Sequence, residues 1–189
     1  MNIFAVEGDE NTGEINWYQS GRSLDNLRTV KMILETTQLL SSAMHINGMT
    51  GPYKINHAKH PSTLWTAESF ANWNDLLIHG VGLIDEYKLR FGNKTHACEA
   101  KINQMIKEVD KTKFPSQIST PLKLAMPEEF KSSNPVKSYR DYYITKEKMR
   151  YPKDRIPEWF MSRRVIPYED RKSTRLNSSH LGISYAVFC

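Results

Sequence analysis

Cysteine is scarce, with Cys98 and Cys189 the two in 189 residues, and that excludes a thiolate zinc cluster. No run approaches the ~18 apolar residues that a membrane-spanning helix needs. The opening MNIFAVEGDENTG has neither a basic region nor a long apolar stretch, so no secretory leader is expected there. Several chemistries lack their signatures. Neither GxxxxGK[ST] nor GxGxxG occurs, so no phosphate cradle of known type is expected. The deaminase pattern HxE…PCxxC, the nucleophile elbow GxSxG and the zincin HExxH are also missing. Internal repeats and low-complexity runs are absent too.

What remains begins with an oddity at the far end. Asp170–Cys189, DRKSTRLNSSHLGISYAVFC, resembles the codon-by-codon translation of a short-read sequencing adapter, with Leu181 and Gly182 standing where its index lies. The expectation is a non-native tail over 170–189 following a single helical domain over 1–169. The native C-terminus is then expected to be missing. Without Arg171, Lys172, Arg175 and Asp170 the balance is 23 basic to 20 acidic residues, or +3, instead of the +5 of the whole chain. Net charge is thus a weak pointer to nucleic acid. Cys98 alone allows no internal disulfide and suits a reducing compartment.

The most informative stretch is His60–His96, HPSTLWTAESFANWNDLLIHGVGLIDEYKLRFGNKTH. Ser62 or Thr63 after Pro61 predicts the start of one long helix. Trp73, Leu77, Ile84, Tyr87 and Phe91 recur at helical spacing with Gly80 in the same stripe, and Gly92-Asn93 supplies a stop. A second line holds Asp75, His79, Gly82, Glu86 and Arg90. It reads either as a solvated face with one Glu–Arg pair or as a site wall flanked by His60, Trp65, Lys94 and His96. Gly82 leaves a gap there for a ligand or another backbone.

Elsewhere, Asn2–Val6 suits an edge strand or an extended arm. Ser23–Met44 reads as a long helix with Leu27, Val30, Leu34, Thr37 and Ser41 on one side, Ile33 and Leu40 adjoining, and Arg28, Lys31, Glu35 and Gln38 as a polar stripe. The Gly/Pro/Asn loop from His45 to His60 contains His57-x-x-His60. Carboxylate or cysteine partners at metal-binding spacing are lacking, so no metal is assigned. Thr95–Val109 predicts a helix burying Cys98, Ile102, Met105, Ile106 and Val109. Asp110–Met126 is irregular, and Pro127-Glu128-Glu129-Phe130 opens a short helix. Asn134-Pro135 caps a helix through Tyr151. In it Tyr139, Tyr142 and Tyr143 alternate with Arg140, Lys146, Lys148 and Arg150, a mixture that suits either backbone contact with base stacking or an inward tyrosine face. Pro157-Glu158-Trp159-Phe160 reads as an aromatic clasp on the bundle. The fold expected is all-α, with five or six helices and at most a short N-terminal strand.

Several strings together carry a family resemblance. They are Val30–Thr36 with Gln38-Leu39-Leu40, His60-Pro61 with Leu64-Trp65, Glu86-Tyr87 with Arg90-Phe91-Gly92 and His96, Ala125–Glu129, Tyr139-Arg140 with Tyr142-Tyr143, and Pro157-Glu158-Trp159. The set resembles a family of small helical proteins encoded by tailed bacteriophages, cyanophages included, over roughly Met1–Phe160. The family pattern often has a His where this chain has Arg28, so no role is carried to that position. The resemblance implies a phage setting and the cytoplasm of an infected bacterial host, without supplying an activity.

Two functions are consistent with these features. In the first, the chain processes nucleic acid or nucleotides, for instance by excising or modifying a base. His60, Glu86, Glu35 and His96 would be its catalytic groups, and Lys31, Trp65, Arg90, Arg140 and Tyr142 would hold substrate. Glu86 or His60 would then serve as base, Arg90 and Lys31 would hold phosphate, and Trp65 or Tyr142 would stack on a base. The glycine loop of helix-hairpin-helix glycosylases is absent, and no cofactor is specified. In the second, the chain is a non-catalytic phage module binding DNA or a host protein.

Overall fold

The computed structural model describes residues 2–164, so the adapter-like string and residues 165–169 lie outside the described part. The fold is all-α. Seven helices follow one another: α1 (Trp17–Arg22), α2 (Asn26–Ile46), α3 (Pro61–Glu68), α4 (Phe70–Arg90), α5 (Glu99–Glu108), α6 (Pro135–Tyr143) and α7 (Glu158–Arg164). Among the described residues no strand forms, and one isolated antiparallel bridge joins Gly8 to Ile15. Asn2–Val6 is therefore an arm. Ile3, Phe4, Ala5 and Val6 are buried, with Phe4 5.0 Å edge-on to Tyr143 and 6.1 Å edge-on to Tyr139. The chain divides into Met1–Arg150, which holds α1–α6, and a unit beginning at Tyr151. In the latter, Phe160 lies 5.0 Å from Tyr151 and 5.8 Å from Trp159, ring centre to ring centre.

The two 21-residue helices α2 and α4 form the axis of the larger unit, with Ile33, Leu40, Trp73, Leu76 and Leu83 buried along them. Asp25 caps α2 by accepting from the Leu27 and Arg28 amides at 3.1 and 3.4 Å, so the helix starts later than the expected Ser23. The expected inward side of α2 holds at Ile33, Thr37, Leu40 and Ser41 but not in the first turns. Thr29, Met32, Ile33, Thr36 and Leu40 are buried, whereas Leu27 is 54 % exposed and Val30 and Leu34 also face outward. Small hydroxyl residues can take the inner face because their oxygens bond locally. Thr37 donates to the Ile33 carbonyl at 2.7 Å, and Ser41 donates to the Tyr53 carbonyl at 2.8 Å.

The expected long helix from Ser62 to Phe91 is two helices. Ser69 takes an extended conformation (φ −151°, ψ 157°), ends α3 and caps α4 by accepting from the Asn72 amide at 3.0 Å. Asn72 completes the break, donating to the Trp65 carbonyl and the Thr120 hydroxyl, each at 2.8 Å. A carbonyl orphaned at the end of α3 is thereby satisfied. The cap of α3 is His60, whose Nδ1 accepts from the Ser62 amide at 3.1 Å, in place of Ser62 or Thr63.

Two further helices are shorter than their apolar patterns. α5 buries Ile102 and Met105 but leaves Ile106 46 % exposed. α6 stops at Tyr143, because Thr145 turns its hydroxyl onto the Tyr142 carbonyl at 2.7 Å and the chain swings back towards α2. There the Asn26 amide donates to the Arg150 carbonyl at 2.8 Å. The cations at 146, 148 and 150 consequently sit on a loop.

Candidate functional site

From His79 to Arg90 the polar line of α4 faces inward, away from solvent, while Asp75 at its start is half-buried. Gly82 and Gly21 explain why. A Cβ on Gly82 would lie 2.2 Å from the Tyr18 carbonyl oxygen, and one on Gly21 would lie 2.2 Å from the His79 carbonyl oxygen. The gap expected at Gly82 is therefore filled by another backbone, that of α1. This close approach covers His79 and Glu86 completely.

Glu86 is held from two sides, by Arg22 Nε at 3.1 Å and by Arg90 Nε at 2.8 Å. The Arg90 guanidinium also donates to the Leu24 carbonyl at 2.7 Å, the Arg22 carbonyl at 3.1 Å and Asn26 Oδ1 at 3.2 Å. It therefore closes the C-terminal end of α1 as well as neutralising Glu86. A carboxylate so enclosed has no route to a substrate proton, and the pair ties α1, α2 and α4 together. Arg22, whose part the sequence did not suggest, lies 64 residues from its partner.

His79 is fully buried, and neither ring nitrogen has a hydrogen-bond partner of acceptable geometry. Burial pushes its pKa from 6.5 to about 4, with the Phe4 main chain opposing the shift slightly. Protonation is thus disfavoured in the folded state relative to the unfolded one. His79 leaves stability intact above pH 6.5 and withdraws it as pH falls from 6.5 to about 4, by about 3 kcal/mol in all. Urea titrations at pH 7.0 and pH 4.5 check this. His79→Leu should remove the greater part of the difference between the two midpoints.

The remaining candidates separate into four places, the last of them the tyrosine helix. At the start of α3, His60 is half-buried and its pKa is lowered, first by burial and then by His57 among its neighbours, against the opposing charge of Glu35. Glu35 in turn pairs with Lys31 at 3.3 Å, and that lysine is largely exposed. His60, Glu35 and Lys31 thus form one locale. His96 is elsewhere, edge-on to Tyr87 at 5.2 Å with Nδ1 accepting from the Cys98 amide at 3.2 Å. Burial lowers its pKa too. Trp65 is buried, donates to the Thr120 carbonyl at 3.1 Å and lies 5.6 Å from the Trp17 ring, so it offers no face to a base.

The tyrosine helix is partitioned. Tyr139 and Tyr143 are core residues, and Tyr143 donates to Asp25 at 2.5 Å. Arg140 turns inward to the Val6 carbonyl at 2.7 Å and pairs with Glu10 and Glu7, so it is committed to the N-terminal arm. Tyr142 stays partly exposed with Lys146 Nζ 3.4 Å above its ring centre. The returning loop sets Lys146, Lys148 and Arg150 beside Arg28, which donates to the Glu147 carbonyl at 3.4 Å and pairs with Asp25 at 2.8 Å.

A separate groove, unmarked in the sequence, opens beside α1. A cavity of about 530 Å³ is lined by Glu14, Trp17, Asp75, Ser119, Pro121 and Leu124, among others. A second of about 400 Å³ adjoins it through Glu14, Ile15 and Trp17. Asp75, half-buried there, has its pKa raised by burial, against the Ser119 hydroxyl at 3.3 Å and the Trp17 side chain. Among the described residues no His/Cys/Asp/Glu group is arranged to hold a metal, and no helix is long and apolar enough to cross a membrane.

No comparison supplies a relative. Neither a family model, nor a curated protein, nor a solved structure matches this chain.

Proposed function

We propose that this chain is a phage-encoded nucleic-acid-binding module that holds the phosphate backbone along the outer face of α2. The observation carrying this reading is the fold-back at Arg150. It brings the Glu147 and Arg150 carbonyls to the N-terminus of α2 and to Arg28, and with them the loop that carries Lys146, Lys148 and Arg150. Lys31 continues the line one turn further, and Tyr142 adds a partly exposed ring at its edge. Helix-borne and loop-borne cations on one surface suit a regularly spaced anion. The phage resemblance and a cytoplasmic setting in the infected host go with this reading.

A nucleotide-processing activity is the second reading, and the His60–Glu35–Lys31 locale favours it. A half-buried imidazole near a carboxylate is the part of the expected catalytic set that solvent can still reach.

Binding of single- and double-stranded DNA by the full chain at two salt concentrations tests the proposal. Replacing Lys146, Lys148 and Arg150 with Glu together should weaken binding about tenfold or more at low salt. It should also flatten the salt dependence by about one unit of slope for each phosphate no longer neutralised. Affinity should fall similarly for all sequences. Unchanged binding would remove the surface from consideration. Nucleoside analysis of the same mixtures tests the second reading, with a product that His60→Ala abolishes as its signature.

A further inference from the structure

The groove beside α1 plays no part in the surface just proposed, and its chemistry is of the opposite sign. Among the described residues neither lysine, arginine nor histidine lines either of its two cavities, whereas Asp9, Glu14 and Asp75 do. The nearest lysines in the covering segment are accounted for. Lys131 pairs with Glu128 and Lys137 with Asp141, while Lys123 lies between Leu122 and Leu124 without lining the cavity. Asp75 is the central group. It projects from α4, is half-buried, and has two neutral donors, the Ser119 hydroxyl at 3.3 Å and the Trp17 side chain, with no cation paired to it among the described residues. A partly desolvated carboxylate without a counter-charge gains more from a cation than from a neutral hydroxyl. The Trp17 ring, fixed against Trp65 at 5.6 Å, supplies a π face in the same cavity. The hydroxyls of Ser119 and Ser133 add acceptors for N–H groups.

We infer that this groove is a binding site for a small organic cation of the alkylammonium class, with Asp75 as its anionic anchor, Trp17 as its aromatic wall and Glu14 as a second carboxylate. The cavity of about 530 Å³ has the size of a small-molecule site. A linear diamine fits this chemistry best, since its methylenes can lie on Trp17, Pro121 and Leu124 while its ends address carboxylates.

The test is a titration of the ¹⁵N-labelled full chain with 1,4-diaminobutane, following the Trp17 indole N–H, assigned by its loss in Trp17→Phe. The expected result is a saturable shift of that signal, with no shift from the neutral isostere 1,4-butanediol. Asp75→Asn, which keeps the shape and the Ser119 contact, should weaken binding about tenfold to a hundredfold. Glu14→Gln at the exposed rim should weaken it less, and it serves as the second variant should Asp75→Asn disturb the fold. Equal binding of the diol would overturn the inference, as would unchanged diamine affinity in both variants. Absence of saturation below about 10 mM, weaker than the millimolar range, would do the same.

Discussion

Glu86→Ala is expected to be among the most damaging single substitutions in the chain, lowering stability by about 3–5 kcal/mol. The reason is the state of the residues left behind. Arg90 has a side chain only 2 % exposed, and Arg22 reaches the same carboxylate from α1. Deleting the carboxylate takes from a nearly buried guanidinium the acidic partner it meets at 2.8 Å. Arg90→Ala should cost a similar amount by a different route. It removes the 2.8 Å partner of the buried Glu86 carboxylate and unties the carbonyls of Arg22 and Leu24. Arg90→Lys should not restore the loss, since one ammonium cannot reproduce a planar fork that serves Glu86 and two carbonyls at once. Urea unfolding with an unchanged slope and a shifted midpoint is the readout. If Glu86→Ala instead left the midpoint alone and removed a DNA-directed activity, the pair would be a site and not a strut.

That pair marks where the sequence stops being legible. Its spacing puts Asp75, His79, Gly82, Glu86 and Arg90 in one line on α4, and they do share a line. What covers the line is α1, six residues reading WYQSGR, too short and too polar to show an apolar period of its own. Burial of a face depends on its partner, and the partner carries no signal. The same cause turns the first half of α2 from expectation. Leu27, Val30 and Leu34 are its conspicuous aliphatics and lie outward, while Thr29, Thr36 and Thr37 lie inward, the first and last of them with hydroxyls bonded to nearby carbonyls. Caps are legible where the residue has one role to play, as with Asn134 before Pro135. Ser69 is hidden because its flanks are apolar and helical on both sides, and the residue fixing the break, Asn72, needs Thr120 from a distant loop. Of the expected site residues, His60, Glu35 and Lys31 share a locale, since one helical turn joins the last two and the loop returns the first. The Trp17–Asp75 groove is invisible in the sequence, because three segments far apart in the chain meet to form it.

Gly82→Ala should be destabilising by about 3 kcal/mol, the upper part of the range for overpacked cores, although alanine is the better helix former by about 1 kcal/mol. Propensity loses because the added carbon would sit 2.2 Å from the Tyr18 carbonyl oxygen, and that atom belongs to backbone that cannot rotate aside. α1 would have to lift from α4, which loosens Arg22 from Glu86 and uncovers His79. Gly21→Ala should behave alike, meeting the His79 carbonyl oxygen at 2.2 Å and the Leu83 nitrogen at 2.9 Å from the opposite helix. Because both substitutions separate the same two helices, the double variant should cost well under the sum of the singles. Gly80→Ala provides the contrast on the same helix. Its added carbon would meet the Thr36 methyl at 3.0 Å, a contact that a small side-chain adjustment relieves, and the gain in helix propensity should leave it close to neutral. Thermal and urea midpoints for the four variants give the ordering directly. A Gly82→Ala chain as stable as the parent would mean that α1 is not seated on α4 at this distance. The burial of Glu86 and His79 would then no longer follow, and the polar line of α4 would return as a candidate wall for chemistry.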